Sequence, residues 1–271
     1  MTAPPIVSVV MPVLATPPEM LREAIESILA QTLGNLELII VEDPSQTVRR
    51  DIILSFDDDR IRYTLNPQRS GLVAQRNLGL QQARGEFIVK ADSDDVSEPD
   101  RCALQVDFLR SNEDIGVVGS WLSIIDHDGT KTGRREYPTE AEAIHRMFRR
   151  RNPIAQPAAC FRKQLFDQFG GYLDGYPVCQ DYAYWSHLAK NGVRFANLPQ
   201  CLVRYRQHAQ SIKTTKLRQT LDATIQIKET YWAGEMNTVD RLRVLAERIL
   251  RYAPGSVTQS LFQRLTYRRS S

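Results

Sequence analysis

Phe87-Ile88-Val89-Lys90-Ala91-Asp92-Ser93-Asp94-Asp95 is an apolar run of strand length that ends in three carboxylates within four residues. A strand of this kind carries negative charge to its C-terminal edge, where open α/β sheets bind their ligands. Carboxylates so close together repel unless a cation lies between them. Hard oxygen ligands suit Mg²⁺ or Mn²⁺, ions that bridge to phosphate. A helix cap is the competing reading, because Ser97-Glu98-Pro99-Asp100 has the form of a capping box with Ser97 as N-cap. It covers Asp100 and reaches at most to Asp95. Asp92 and Asp94 precede it and stay unexplained by it.

Toward the N-terminus, Ile6 to Met11 is a valine-rich run closed by Pro12 and reads as a buried strand. Thr16-Pro17-Pro18-Glu19 then predicts a helix with Thr16 as N-cap, its apolar positions Leu21, Ala24, Ile25, Ile28 and Leu29 falling at helical spacing. Leu36 to Val41 is a second buried strand, ending in Glu42-Asp43 and the turn residues Pro44-Ser45. Right-handed crossover makes the two strands parallel, so their C-terminal ends share one edge. A weaker helix from Thr47 to Phe56, a solvated loop at Asp57-Asp58-Asp59, a strand Ile61 to Leu65 and a helix from Ser70-Gly71 to Arg84 lead back to the opening strand. Two acidic clusters at one edge of a βαβαβ sheet are the geometry of a nucleotide and metal crevice.

Toward the C-terminus, a helix after Arg101 precedes a strand from Ile115 to Ile125. Asp126-His127-Asp128-Gly129 is ordinary hairpin-turn chemistry and is favoured as that over a metal site at His127. Glu140 to Arg151 reads as a helix whose Arg149-Arg150-Arg151 run complements the macrodipole, with lining for an anionic substrate as the alternative. A strand at Ala158 to Phe161 and a helix from Lys163 to Phe169 follow. The helix opening at Cys179 buries Tyr184, Trp185 and Leu188, and Asp181 in its first turn is either a dipole-stabilising acid or a catalytic base. Short strands at Val193 to Ala196 and Leu202 to Tyr205 give way to helix beyond Ser211. There, arginines alternate with apolar residues from Arg241 to Arg251. That tail rests on an anionic membrane surface, pairs two copies, or packs on the body; packing is favoured.

The 271 residues are 42% hydrophobic and carry 35 basic against 32 acidic side chains. A net charge of +3 argues against a nucleic-acid partner. Cys102, Cys160, Cys179 and Cys201 are widely spaced, without a zinc pattern, and predict reduced thiols in a cytoplasmic protein. Neither a signal peptide nor a membrane span is expected. No G-x-G-x-x-G or P-loop is present, which argues against dinucleotide oxidoreductases and P-loop kinases.

At this point the motifs resemble the inverting GT-A glycosyltransferases of family 2, over about residues 5 to 212. Val7-Ser8-Val9-Val10-Met11-Pro12 looks like that family's first strand, and Glu42-Asp43-Pro44-Ser45 stands where D-D-G-S is usual. Ala74-Gln75-Arg76-Asn77 resembles A-A-R-N, and Asp92-Ser93-Asp94-Asp95 matches the D-x-D-D metal motif. Gly170-Gly171-Tyr172, Gln180-Asp181-Tyr182 and Tyr205-Arg206-Gln207-His208 are similar to G-G-Y, E-D-Y and Y-R-x-H. The resemblance implies a mostly parallel, mixed α/β sheet flanked by helices. It divides into a donor-binding half (1–105), an acceptor and catalytic half (106–215) and a C-terminal helical extension (216–271).

The implied activity is metal-dependent, inverting transfer from a nucleotide sugar, expected to be a UDP-sugar, to a saccharide or lipid-linked acceptor. Asp43 then binds the nucleobase, Arg76 and Arg206 the diphosphate, and Pro12 and Ser93 lie beside the donor. Asp94 binds Mn²⁺ or Mg²⁺ directly, Asp92 reaches the ribose or the metal's water shell, His208 makes a further metal or phosphate contact, and Asp181 is the general base. Departures are Leu14-Ala15 for Tyr-Asn, Glu42 and Pro44 for Asp and Gly, Gln180 for Glu, and Gln156 where histidine is common. The altered first loop motivates one alternative, a non-catalytic nucleotide- or partner-binding protein of the same fold.

Overall fold

The computed structural model describes residues 4–207 and 217–252. Strands β1 (Val7–Val13), β2 (Leu36–Glu42), β3 (Ile61–Leu65) and β4 (Phe87–Lys90) pair in parallel in the order β3-β2-β1-β4. Four further strands extend the sheet beyond β4: β8 (Cys160–Arg162), β6 (Ile115–Ile125), β9 (Arg194–Arg206) and β5 (Val96–Ser97). The short β7 (Lys131–Arg135) forms a hairpin with β6. β8 runs antiparallel to β4 and β6, whereas β6 and β9 are parallel over almost their whole length. The sheet is thus mixed but mostly parallel where the acidic clusters end, as expected. One sheet spans both expected halves.

Side-chain alternation sorts the helices into layers. Val7, Val9, Met11, Leu38, Ile40, Phe87 and Val89 face α1 (Pro18–Leu29) and α4 (Arg101–Ser111). Val10, Ile39, Val41 and Ile88 face the opposite layer, built from α3 (Leu72–Gln82), α5 (Ala141–Phe148), α6 (Lys163–Phe169) and α7 (Gln180–Lys190). A five-residue α2 (Arg50–Leu54) replaces the longer helix expected from Thr47. The two short strands expected near the end are one, β9.

Three expectations at element ends are corrected by tertiary partners. β1 runs through Pro12 to Val13. Its pairing with β4 ends at Val10, whose carbonyl accepts from Ala91 N, and the Pro12 ring nitrogen faces that same side, where no partner strand needs an N–H. Thr16 does not cap α1; its hydroxyl bonds the Ser93 hydroxyl at 2.6 Å instead. Ser97 lies in β5 rather than at a helix start, and its Oγ accepts from the buried Arg101 guanidinium at 3.0 Å.

Past residue 216, α8 (Leu217–Ile227), a π-helical turn (Lys228–Trp232) and α9 (Thr238–Leu250) pack against α5 and α7. Trp232 is fully buried, stacks on Phe148 with ring centroids 5.2 Å apart, and donates to Ser186 Oγ at 3.0 Å. Arg149 and Arg150 reach Asp240 of α9, so two members of the basic run bind the extension to the body. Trp232→Ala is expected to cost about 3–5 kcal/mol and lower Tm by roughly 8–16 °C in a thermal melt. A loss below about 1 kcal/mol would show that the extension is not part of the cooperative core.

Candidate active site

β1 and β4 separate past Val10 and Lys90, and this is also where the strand order reverses direction. A crevice outside the carboxyl ends of the strands is the expected result. Three segments border it: the end of β1, Glu42-Asp43 after β2, and Asp92 to Asp95 after β4.

Asp43 is fully buried, and its carboxylate accepts from four donors: Asn66 Nδ2 at 2.7 Å, Ser70 Oγ at 2.8 Å, Ser70 N at 3.0 Å and Gly71 N at 2.7 Å. From the end of β2 it anchors the loop that leads into α3. Burial alone would raise its pKa, but the bonds from Asn66, Gly71 and Ser70 outweigh that and hold it below the usual carboxylate value. Neighbouring Glu42, also buried, accepts from Arg49 N and the Tyr63 hydroxyl.

The Ala74-Gln75-Arg76-Asn77 segment then works as a unit. Gln75 Nε2 donates to Val13 O at 2.8 Å and Val41 O at 3.0 Å, tying α3 to the ends of β1 and β2. Asn77 exchanges two hydrogen bonds with the Tyr172 backbone, at 2.9 and 2.7 Å. A Cβ on Gly171 would lie 2.2 Å from Asn77 Oδ1, so this approach requires glycine. Arg76 is thereby fixed in the crevice wall.

Asp43→Asn places an amide donor against backbone donors and should cost roughly 2–4 kcal/mol in denaturant unfolding. Because the folded pKa of Asp43 lies below the unfolded one, its stabilisation is complete above the unfolded value near about 4 and fades as pH falls through the folded one. The gap between wild type and variant should therefore shrink toward low pH. A constant gap would assign the cost to packing.

Charge concentrates at Asp92. Arg76 Nη2 lies 3.6 Å from its carboxylate. Burial raises the Asp92 pKa, Arg76 opposes that, Asp94 raises it further, Lys90 lowers it and Asp181 raises it. Asp94, Asp181, Arg76 and Lys90 thus all act electrostatically on Asp92. Lys90 is 1% exposed, and neither its Nζ nor Arg76 Nε has a hydrogen-bond partner among the described residues. Both cations lie over the Tyr172 ring, 5.2 Å (Arg76) and 5.4 Å (Lys90) from its centroid. Burial and the nearby Arg76 push the Lys90 pKa well down, and Asp92 opposes them. Tyr172 OH accepts from Gln156 Nε2 at 2.5 Å.

Asp181 opens α7 and is partly exposed. Its Oδ2 accepts from Asn152 Nδ2 at 2.8 Å, which orients the carboxylate. Asp95 is buried and accepts from Arg206 N at 2.8 Å; burial, Asp94 and Asp92 drive its pKa well up. The Arg206 side chain points inward, 2% exposed. Its guanidinium donates to the carbonyls of Asp94 (3.1 Å), Asp126 (3.2 Å) and His127 (2.7 Å) and pairs with Glu23. The Asp126 carboxylate accepts from Asp128 N and Thr130 N, so His127 sits in a hairpin turn.

The fold therefore sets Arg76 beside Asp92, with Lys90 and Arg76 over the Tyr172 ring; Asp94 and Asp181 lie near enough to act on the Asp92 charge, and Pro12 and Ser93 are buried. It turns Asp43 and Arg206 toward the protein, and His208 lies outside the described residues. The reading of the sequence took Lys90 as part of an apolar strand. A lysine in a fully buried strand is costly without a role, and that was the available signal. Two adjacent carboxylates fit a hard divalent ion whose remaining positions are filled by substrate phosphate. No group of three or more metal-ligating side chains occurs among the described residues.

The Glycosyl transferase family 2 model matches residues 8–170. The chain belongs to that family. It is a glycosyltransferase of GT-A fold. The chain is 27% identical over 262 residues to the UDP-Gal:alpha-D-GlcNAc-diphosphoundecaprenol beta-1,3-galactosyltransferase of Escherichia coli, covering 93% of this chain and 92% of that one. It is 24% identical over 251 residues to the amylovoran biosynthesis glycosyltransferase AmsE of Erwinia amylovora, covering 91% and 94%. Residues 1–349 of S. aureus TarS in complex with UDP-GlcNAc superpose with a TM-score of 0.67 at 16% identity, covering 97% of this chain and 76% of that one. The mannosyltransferase PcManGT of Pyrobaculum calidifontis, in complex with GDP-Man and Mn2+, gives 0.64 at 14% identity, covering 98% and 77%. Among the described residues, no helix of this glycosyltransferase is long and apolar enough to cross a membrane.

Proposed function

We propose that this chain transfers a sugar, with inversion, from a nucleotide donor, a UDP-sugar first, to a hydroxyl of a saccharide or lipid-linked acceptor in polysaccharide assembly. The observation that carries this reading is the electrostatic proximity of Asp181 to Asp92 and its neighbours Asp94 and Arg76. It supports a carboxylate base working beside a set of diphosphate-binding groups. The acceptor class follows the diphosphoundecaprenol-linked substrate in the name of the E. coli relative.

Asp181, oriented by Asn152, takes the proton of the acceptor hydroxyl as its oxygen bonds to the anomeric carbon. The bond from that carbon to the diphosphate breaks on the opposite face, and the nucleoside diphosphate departs. Arg76 faces the negative charge that develops there. Asp94 with Asp92 would hold Mn²⁺ or Mg²⁺, which neutralises the leaving group when bound. The four donors already on Asp43 favour an indirect part in nucleobase binding, through the Asn66 to Gly71 loop that it anchors. The inward guanidinium of Arg206 favours positioning of the Asp94 backbone over contact with phosphate.

Turnover of a panel of UDP-, GDP- and dTDP-sugars with Mn²⁺ tests the reading. Product should form from one nucleotide class with an inverted anomeric centre. Nucleotide binding without transfer to any polyprenyl-diphosphate sugar or free saccharide would instead mark a binding protein of this fold.

A further inference from the structure

The helix α9 is built the wrong way round for a surface helix. Its inward side carries Asp240, paired with Arg149 and Arg150, and Glu247, which takes both contacts of the buried Lys228 ammonium at 2.7 and 2.6 Å. Arg251 beyond its end pairs with Asp222 of α8 at 3.0 Å. Only Val244 contributes a buried apolar side chain. The outward side is apolar: Val239 is 59% exposed, Leu242 60%, Leu245 52% and Ile249 66%, with Tyr252 after the helix at 79%. At 100° per residue these five fall on one arc, opposite Asp240 and Val244.

An exposed stripe of this extent marks an interaction surface, and its charges narrow the partner. Both acids of α9 face inward, while Arg241 and Arg248 border the stripe on one side and Arg243 on the other, all exposed; Arg248 pairs with Glu229, whereas Arg241 and Arg243 have no ion pair among the described residues. A second copy related by two-fold symmetry would set these arginines against their own images. Residues 253–271 include Arg264, Arg268 and Arg269 and contain no Asp or Glu, so they offer no counter-charge either. An apolar ridge with Arg241 along one side and Arg243 along the other fits a surface that is apolar within and anionic at its face.

We propose that the outward face of α9 seats this enzyme on an anionic lipid surface, with Leu242, Leu245 and Ile249 entering the interface and Arg241 and Arg243 meeting lipid phosphates. The proposal stands apart from the catalytic reading, since no residue of the crevice takes part.

The test is co-sedimentation of the full chain with vesicles of phosphatidylcholine alone or with roughly a third phosphatidylglycerol. Partitioning should be at least about tenfold stronger on the anionic vesicles and weaken as salt is raised. Leu242→Glu/Ile249→Glu should abolish it while leaving Tm and UDP binding unchanged. Absence of binding to anionic vesicles, or equal binding by the double variant, overturns the proposal. Light scattering on the same samples then identifies the occupant of the face. A wild-type dimer that the double variant dissolves indicates a second copy, and monomers throughout indicate a face covered by residues 253–271.

Discussion

Asp181→Asn should lower the rate of sugar transfer by roughly 10²–10⁴-fold while leaving donor affinity close to wild type. The substitution keeps the shape of the side chain and an oxygen able to accept from Asn152, so α7 and its surroundings should fold as before. What disappears is the capacity to take a proton from the attacking hydroxyl. Single-turnover transfer and calorimetric titration of UDP separate the two quantities. A variant that transfers at the wild-type rate would remove Asp181 from the mechanism, and one that no longer binds UDP would make it a donor-site residue. Asn152→Ala should lower kcat by a smaller factor, because it removes orientation and leaves the base in place.

Asp94→Ala should abolish Mn²⁺-dependent donor binding and reduce kcat/KM by roughly 10²–10³-fold. Electron paramagnetic resonance of Mn²⁺ titrated into enzyme and UDP gives a readout that does not depend on turnover. The large effect expected at Asp94 rather than Asp92 follows from their surroundings. Asp92 already has Arg76 at 3.6 Å and Lys90 nearby, so part of its charge is balanced within the protein. If Asp94→Ala retains Mn²⁺ with UDP unchanged, the ion is held elsewhere or the transfer proceeds without it.

The family's polar motifs in this chain include groups at the crevice and groups whose hydrogen bonds hold its walls. Gln75, Asn77, Asp43 and Arg206 each tie one crevice segment to another part of the molecule through backbone donors or acceptors. Preorganised dipoles and charges are effective in catalysis because they need no rearrangement when charge develops. The buried hydrogen-bonding side chains around the crevice are therefore expected to serve transfer by holding its groups still. The unusual Glu42 fits the same pattern, its longer arm reaching Arg49 N and the Tyr63 hydroxyl.

Much was legible in the order of residues because the relevant signals are local. A valine-rich run stopped by acids, the three- and four-residue spacing of Leu21, Ala24, Ile25 and Ile28, and right-handed crossover are properties of neighbouring residues. They led to a parallel sheet with carboxylates at one edge, and the structure has both. The direction in which each polar side chain turns was not legible. Asp43 and Asp92 look alike in sequence, yet one is consumed by four donors from a distant loop and the other stands in the crevice. Lys90 and Arg206 differ in the same hidden way, as does α9, whose apolar residues face out because its acids find Arg149 and Arg150 just past α5 and the buried Lys228 of the π-helical turn. Hydrogen bonds and ion pairs between residues tens of positions apart have no periodicity to read. They are decided only when the sheet and its two helical layers bring those residues within about 3 Å of each other.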